Sequence, residues 1–162
     1  MKYKPVPEPP ETLAFVAEVQ QALALVPATT EDCCSRIVSR TAVPSRDEAR
    51  RWLTFLHALG LANETGRGFA RTRREVDRDE LRSAFEERVF GAQEALDLLA
   101  AADGPLDADA VFDGVREEVP AWERHHDDSW ETVWRERVGR LLKWGVLLGT
   151  VERADGSYVV AG

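Results

Sequence analysis

Apolar residues recur with a helical period through the first forty positions and predict two short helices. The first spans 11–26, and Pro27 ends it. Its apolar side holds five residues: Leu13, Val16, Val19, Leu23 and Val26. Thr30 is expected to cap the second helix, because acidic side chains then occupy the first turn, where the helix dipole favours them. This second helix ends near Arg40.

Residues 45–72 predict a capped helix followed by a hairpin. Ser45 and Glu48 have the spacing of a capping box, in which each side chain binds a backbone N–H of the first turn. The helix ends at Gly60. Five of its residues are expected to point inward: Ala49, Trp52, Leu53, Leu56 and Leu59. The segment "LANETGRGFART" then predicts two short strands around a glycine-containing turn at 64–68.

The second half of the chain shows a similar order of elements. The longest helical pattern covers 79–102, with apolar residues at Leu81, Phe85, Val89, Ala92, Leu96 and Leu99. Asp107 caps a shorter helix, and "ERHHDDS" predicts a polar loop. The last helix runs from Ser129 to Gly145. Its expected inward residues are Val133, Trp134, Val138, Leu141 and Leu142. Asp155–Gly156 is a strong turn pair and predicts a second hairpin.

The two halves resemble each other when the chain is shifted by 85 residues. "LHALGLA" (56–62) then falls on "LLKWGVL" (141–147), Gly60 meets Gly145, and a hairpin follows each helix. Three short helices followed by a hairpin resemble the winged-helix variant of helix-turn-helix proteins. The resemblance rests on "SRDEARRWLTFLHALGLA" and the hairpin after it. It implies a mostly α fold with small β-hairpins, arranged as two winged-helix units in tandem.

This resemblance divides the chain into three parts. Residues 1–10 are rich in proline and predict a flexible arm. Residues 11–78 form the first winged helix, and 79–162 form the second, including a long linking helix whose apolar stripe, 81–99, is a candidate interface for a homodimer. No run of residues is long and apolar enough to cross a membrane, so we expect a cytoplasmic protein that does not bind membranes.

Charge is distributed unevenly along the chain. The total is −8, but residues 36–78 hold ten arginines against five acidic residues, a local charge of +5. Residues 79–162 hold nine basic and nineteen acidic residues, a local charge of −10. The bias toward Arg and Asp is typical of proteins from a halophilic archaeon, in which an acidic surface is general. The local basic segment is therefore more informative than the total.

In helix-turn-helix proteins the third helix lies in the major groove, with the start of the helix nearest the bases. The inward face predicted for 45–59 turns the first arginines of this helix outward. Arginine suits such a face because its guanidinium pairs with guanine and with phosphate. The candidate DNA-binding residues are Arg36, Arg40, Ser45, Arg46, Arg50, Arg51, Thr54, Arg67, Arg71, Arg73 and Arg74. His57 belongs to the same outward face. Alternatively these arginines pair with nearby acids, as Asp47 and Arg51 are spaced to do.

The second unit carries a less basic helix, in which Glu131–Arg135 and Glu136–Arg140 are spaced to neutralise each other. A protein partner is the alternative reading for this half, which concentrates four tryptophans. The adjacent Cys33 and Cys34 are expected to be small buried residues, a redox pair being the alternative. "HHDD" at 125–128 lacks the spacing of a metal site.

The sequence therefore favours a DNA-binding transcriptional regulator whose first unit contacts double-stranded DNA. The alternative is a non-enzymatic tandem winged-helix adaptor that binds protein partners, in which the acidic second unit does the binding. No arrangement of acid, base and nucleophile is present in the sequence, so we expect neither an enzyme nor a cofactor.

Overall fold

A computed structural model describes residues 3–126 and 128–162. The chain forms two compact units that meet in sequence between Val89 and Phe90. Each unit is treated by itself below. Among the described residues, no helix combines the length and the apolar character that a membrane span requires.

The described residues of the first unit form four helices and one hairpin. Its elements are α1 (Leu13–Ala22), α2 (Thr30–Arg40), α3 (Arg46–Ala58), β1 (Ala62–Thr65), β2 (Gly68–Arg71) and α4 (Arg78–Arg88). The part of the second unit that the structure describes also forms four helices and a hairpin, with a 3-10 turn over Arg116–Glu118. Its elements are α5 (Ala92–Ala101), α6 (Ala108–Val115), α7 (Ala121–His126), α8 (Trp130–Leu147), β3 (Val151–Ala154) and β4 (Ser157–Val160).

Both units have the winged-helix arrangement that the sequence predicts. Each hairpin is antiparallel, with Thr65 opposite Gly68 in the first and Ala154 opposite Ser157 in the second. In each unit a single residue from the connection before the second helix pairs with the hairpin as an isolated β-bridge. Ala28 exchanges two backbone hydrogen bonds with Phe69, and Leu106 does the same with Tyr158.

The repeat is confirmed, but its predicted register is wrong. Leu61 N–H bonds to the carbonyl of Leu56 at the end of α3, and Thr150 N–H bonds to that of Gly145 at the end of α8, both at 2.9 Å. Phe69 and Tyr158 hold equivalent places in the two hairpins. The helix-and-wing parts therefore correspond at a shift of about 89 residues rather than 85, which is one helical turn further along.

The equivalent of Gly60 is consequently Gly149. Both have positive φ, 80° and 81°, and both follow the last residue of a helix by two positions. Gly145, which was predicted to end the last helix, lies inside α8. A Cβ atom at Gly145 would lie 2.7 Å from Cγ2 of Val151, so this glycine allows β3 to pack against the helix.

The first two helices differ from the prediction at their ends. α1 ends at Ala22, before Pro27, and Val26 is 71% exposed rather than inward. α2 is capped by Thr29 rather than Thr30, because the Thr29 hydroxyl accepts the N–H of Asp32 at 3.1 Å.

The single helix predicted for 79–102 is wrong. Residues 89–91 separate α4 from α5, and Gly91 has a φ of 89°, which an α-helix cannot contain. The apolar stripe 81–99 is divided accordingly, so it is not an exposed interface. Phe85 packs on Phe55 of the first unit, with ring centroids 6.4 Å apart, whereas Leu99 joins the core of the second. α4 thus belongs to the first unit, although the predicted boundary lay after residue 78.

The arm predicted to be flexible packs against the first unit instead. Tyr3 N–H bonds to the carbonyl of Arg88 at 2.7 Å. The guanidinium of Arg88 lies 5.9 Å from the centre of the Tyr3 ring, and Val6 is buried. The proline-rich arm is therefore an extended segment. Apolar and aromatic contacts hold it in place, and the spacing of apolar residues in the sequence does not reveal these contacts.

Two further predictions for the second unit are wrong. Residues of the predicted polar loop 123–129 lie in α7 as far as His126, while position 127 falls outside the described residues. Val133 is 39% exposed and does not point inward. The other four residues predicted for the inward face of α8 are buried: Trp134, Val138, Leu141 and Leu142.

Candidate nucleic-acid interface

α3 has the start and the inward face that the sequence predicts. The Ser45 hydroxyl accepts the backbone N–H of Glu48 at 3.2 Å and caps the helix. Among the described residues, the reciprocal bond of the predicted capping box, from the Ser45 N–H to the Glu48 carboxylate, is not formed. All five residues predicted to point inward are buried, together with Phe55 and Ala58. The helix therefore exposes Arg46, Arg50 and Arg51, while Thr54 is half-buried.

The three arginines of α3 each approach a carboxylate. Arg46 pairs with Glu31 at 3.3 Å, Arg50 with Asp47 at 3.5 Å, and Arg51 with Glu48 at 3.6 Å. The predicted Asp47–Arg51 pair is not the one formed. These arginine side chains are 45–61% exposed, and an exposed pair stabilises a fold by about 0–1 kcal/mol. These arginines can therefore leave their carboxylate partners for DNA phosphates at a small cost in free energy.

The two arginines of α2 have different roles. Nε of Arg36 donates to the carbonyl of Ala22 at 2.9 Å and ties α2 to the end of α1. Arg36 is therefore partly committed to the fold. Arg40, at the last residue of α2, is exposed and forms no ion pair within the described part of the chain.

Arg67 occupies the tip of the first wing. The two-residue turn Gly66–Arg67 joins β1 to β2, and the Thr65 hydroxyl accepts the backbone N–H of Arg67 at 3.1 Å. This bond fixes the backbone of the turn and leaves the guanidinium exposed. Over the residues described, no carboxylate pairs with it. Arg67 is thus an uncompensated cation at the outermost point of the hairpin.

The remaining predicted arginines lie at the other end of the hairpin. Arg71 is opposite Ala62 and donates to the side chain of Gln21 on α1. Together with Arg73 and Arg74 it lines an open cleft of about 510 Å³ beside α1. At ~3.4 Å per residue, Arg71 is roughly 14 Å along the strand from Arg67. The predicted wing arginines therefore separate into Arg67 at the tip and the other three at the base.

His57 does not belong to the exposed face of α3. Its ring packs at right angles to those of Tyr3 and Phe69, with centroid distances of 5.1 and 6.1 Å. Its Nδ1 lies 3.1 Å from the carbonyl oxygen of Ala62. His57 thus joins the arm, α3 and the wing. The contact with Tyr3 could not be predicted, because nothing in the proline-rich sequence places this arm.

The cysteines behave as small buried residues. Both are reduced and buried, and burial raises the pKa of each thiol above its ordinary value of 9.0. Sγ of Cys33 donates weakly to the carbonyls of Ala28 and Phe69, at 3.6 and 3.7 Å. A thiol that stays protonated is a poor nucleophile, so the redox alternative gains no support.

The second unit offers an internal comparison, because its α8 corresponds to α3. At the 89-residue shift Arg46 corresponds to Arg135, which pairs with Asp109 at 3.2 Å. Glu31 lies in the first turn of α2 and Asp109 in the first turn of α6, the second helix of each unit. The same ion pair therefore joins the same two helices in both units, which indicates that Arg46 helps to hold the fold.

Arg51 corresponds to Arg140, whereas Arg50 and Arg67 have no cationic counterpart in the second unit. Gly139 and Gly156 stand where the first unit has Arg50 and Arg67. Several arginines of the second unit lie over aromatic rings instead. Arg137 is 4.5 Å from the ring centre of Trp134, and Arg135 is 5.0 Å from that of Phe112. The second unit exposes cations at other positions, Lys143 and Arg153, so the two helix-and-wing parts differ in where their positive charge lies rather than in whether they carry it.

Comparison with known proteins agrees with this fold. A family model described as the halobacterial double winged helix domain matches residues 1–162. No curated protein and no solved structure matches the chain.

Proposed function

Because the chain belongs to the halobacterial double winged helix family, we propose that it is a DNA-binding transcriptional regulator. In this proposal the first unit contacts double-stranded DNA through the exposed start of α3 and through the tip of its wing. The second unit does not contact DNA and is available to a protein partner or a second copy of the chain.

The observation that carries the proposal is the difference between the two units at equivalent positions. Two units of one chain share a fold and the ion pair that joins the second helix to the helix before the hairpin. They differ at Arg50 and Arg67, which glycines replace in the second unit. A solvated surface needs charge of either sign, whereas a DNA-binding surface needs cations at the helix start and the wing.

The proposed contacts follow from where each side chain lies. Thr54 follows Arg50 by four residues on α3, so the two side chains lie on the same face of the helix. In this proposal that face meets the base edges of a major groove. Arg40 and Arg67 have no ion pair within the described residues and would neutralise phosphates on either side of the helix. Arg51 can leave its 3.6 Å contact with Glu48 for a phosphate.

Capture of fragmented DNA followed by sequencing tests the proposal. The full chain is incubated in concentrated KCl with genomic fragments from a haloarchaeon, beside an Arg50→Ala/Arg67→Ala variant. We expect the wild-type chain to enrich a limited set of fragments that share a short sequence, and the variant to lose this enrichment. Equal recovery of fragments by both proteins would contradict the proposal.

A second function, the protein-binding adaptor, is favoured by one observation. Each of the three arginines on α3 approaches a carboxylate, and the acidic Glu64 and Glu75 are exposed on either side of the wing. These acids reduce the positive potential of the surface. If the adaptor is correct, neither protein enriches DNA in the capture experiment, because the working surface then lies elsewhere.

A further inference from the structure

An open cleft of about 510 Å³ lies between α1 and the segment that follows the first hairpin. Among the described residues, its lining contains three arginines, Arg71, Arg73 and Arg74, and one acidic residue, Glu75, which together carry a formal charge of +2. The cleft is therefore a positive site on a chain whose total charge is −8. Its size suits a small organic molecule, and its charge favours an anion.

A buried glutamine fixes the backbone from which these arginines project. Gln20, on α1, is 2% exposed, and its amide nitrogen donates to the carbonyls of Thr72 and Arg74, at 3.4 and 2.8 Å. Thr72 is also held from the side of α3, because its N–H bonds to the carbonyl of Leu61 and its hydroxyl to that of Gly60. The arginines are thus presented from fixed backbone positions.

The second unit has apolar residues at the equivalent positions. The residue that ends the first helix of each unit bonds to the carbonyl of Gln20 in one case and of Leu99 in the other, so these two residues correspond. Leu99 belongs to the core of the second unit. At the 89-residue shift, Arg71 corresponds to Val160. The glutamine and the arginine are therefore not requirements of the fold.

The three arginines differ in how far the fold occupies them. Nη1 of Arg74 lies against Gly60 at the end of α3, 2.8 Å from the point where a Cβ atom would be. Arg71 donates to the side chain of Gln21, which leaves further N–H groups of its guanidinium available. Arg73 is exposed, and its guanidinium has no partner within the described part of the chain. A ligand can therefore reach Arg71 and Arg73, whose Cα atoms are at most ~7 Å apart.

The cleft also offers an accessible apolar surface. Ala17, Leu25 and Val76 belong to its lining, and Leu25 is 44% exposed. An exposed leucine beside two guanidiniums suits an anion that is attached to an apolar body. The backbone of DNA presents phosphates and sugars, so it would leave this apolar surface uncovered.

We propose that this cleft binds a small organic phosphate, namely a phosphate monoester carried by an apolar body. A phosphate monoester has three terminal oxygens and can accept from both guanidiniums, whereas a carboxylate has two oxygens and satisfies one. The guanidiniums of Arg71 and Arg73 donate to these oxygens, and the apolar body lies against Leu25. The inference goes beyond the proposed function and does not depend on it, because the ligand is not DNA and the cleft lies at the base of the wing.

Titration with three related probes tests the proposal. The probes are phenyl phosphate, the neutral phenol and inorganic phosphate, and binding to the full chain is followed by NMR at neutral pH in concentrated KCl without DNA. Chloride is present throughout, so a preference for phosphate is a preference over chloride. We expect phenyl phosphate to bind at least about five-fold more tightly than phenol, and more tightly than inorganic phosphate, which lacks the apolar body. Equal affinity for phenyl phosphate and either other probe would overturn the proposal.

Two variants locate the site. Arg73→Ala removes an exposed side chain, so it should leave the fold intact and remove most of the preference for phenyl phosphate over phenol. Leu25→Ser should remove the preference for phenyl phosphate over inorganic phosphate. Arg67→Ala, at the tip of the wing, loses the same charge and is the matched control, which should bind phenyl phosphate like the wild type. An Arg73→Ala variant that loses no more affinity than Arg67→Ala would refute the assignment.

The same variants distinguish a free phosphate from the DNA backbone. We expect Arg73→Ala to bind duplex DNA like the wild type in fluorescence anisotropy, whereas Arg67→Ala binds it more weakly. A loss of DNA affinity with Arg73→Ala, together with equal binding of phenyl phosphate and phenol, would assign this cation to DNA and overturn the proposal. Because the phenyl phosphate titration contains no DNA, its result stands whether or not the chain binds DNA.

Discussion

The arginines of α3 are alike in sequence but not in role. Arg46 contacts both Glu31 and the Ser35 hydroxyl, at 3.3 and 3.0 Å, and its ion pair recurs in the second unit. Among the described residues, Arg50 pairs with Asp47 alone, one turn away on its own helix. Arg46 thus joins α3 to α2, whereas the ion pair of Arg50 lies within α3. Arg50 is therefore the better candidate for contact with DNA.

Arg67→Glu should lower the affinity for duplex DNA of any sequence, because this side chain is placed to meet phosphates. The logarithm of the association constant decreases linearly with the logarithm of the salt concentration, and the magnitude of this slope should decrease by about one. Fluorescence anisotropy with two unrelated duplexes measures both quantities. Arg153→Glu, on the wing of the second unit, makes the same change in net charge and serves as the control. A similar loss with Arg153→Glu would point to total charge rather than to the first wing.

Leu56→Ala tests the inward face of α3. Leu56 is 0% exposed, so truncation should lower the free energy of unfolding by about 2–5 kcal/mol. Denaturant unfolding in concentrated KCl measures the change. Val26→Ala removes an apolar group that is 71% exposed and should have little effect. Near-equal stabilities of the two variants would mean that the packing of α3 is misassigned.

The two cysteines predict a loss of stability in alkali. Their pKa values are raised in the folded chain, so the folded state binds the thiol protons more tightly than the unfolded state does. This contribution is complete below the ordinary value of 9.0 and is lost as the pH rises through the folded values. Replacing both by alanine should make the fall in unfolding free energy above pH 9 less steep. An unchanged slope would contradict this.

At the residue scale, local spacing predicts some features of the candidate site and not others. The Ser45 cap and the inward face of α3 follow from contacts within a few positions, and both are confirmed. Local spacing does not predict the ion-pair partners. Arg51 has an acidic residue at both i−3 and i−4, and in the folded helix it pairs with the one at i−3, Glu48. The bond from Arg36 to Ala22 depends on how two helices pack, which one-dimensional spacing does not encode.

At the scale of elements, α8 shows a steric requirement overriding helix propensity. Gly145 lies inside this helix, and a Cβ there would approach Val151 Cγ2 to 2.7 Å. Gly139, in the same helix, has open space around it. Helix propensity alone favours alanine over glycine by about 1 kcal/mol at both positions. The contact with β3 distinguishes them.

Gly145→Ala should therefore lower the free energy of unfolding by about 1–3 kcal/mol, because the stiff valine and its strand must shift. Gly139→Ala should raise it by as much as about 1 kcal/mol. Parallel denaturation curves of the two single variants measure this difference. Stabilisation by both would show that β3 does not pack closely on α8.

The errors in predicting elements have a common cause. Apolar spacing identifies which residues face a core but not whether one helix or two supply them. Residues 79–102 keep their helical period across the break at Gly91, because α4 and α5 each bury part of the stripe, in different units. Likewise Gly145 resembles a helix stop in sequence, whereas the positive φ that marks the end belongs to Gly149.

At the scale of the whole molecule, the chain repeats one fold with two different surfaces. The tandem arrangement could be predicted even though the register was four residues in error, since both helices have the same period and both precede a hairpin. The net charge of each segment could be predicted as well, because it is counted directly along the sequence. What the sequence left open is which cations the fold occupies, and the second unit helps to answer this because the ion pair of Arg46 recurs there as that of Arg135.

Equilibrium binding of duplex DNA as a function of KCl concentration tests the central claim most directly. The duplex is one enriched by capture, and three full chains are compared: the wild type, Arg50→Ala/Arg67→Ala, and the second-unit control Lys143→Ala/Arg153→Ala, which loses the same charge. We predict that the first variant alone loses about 1–3 kcal/mol of binding free energy and about one unit of salt slope. Identical curves for all three chains would contradict the assignment of DNA binding to α3 and the first wing.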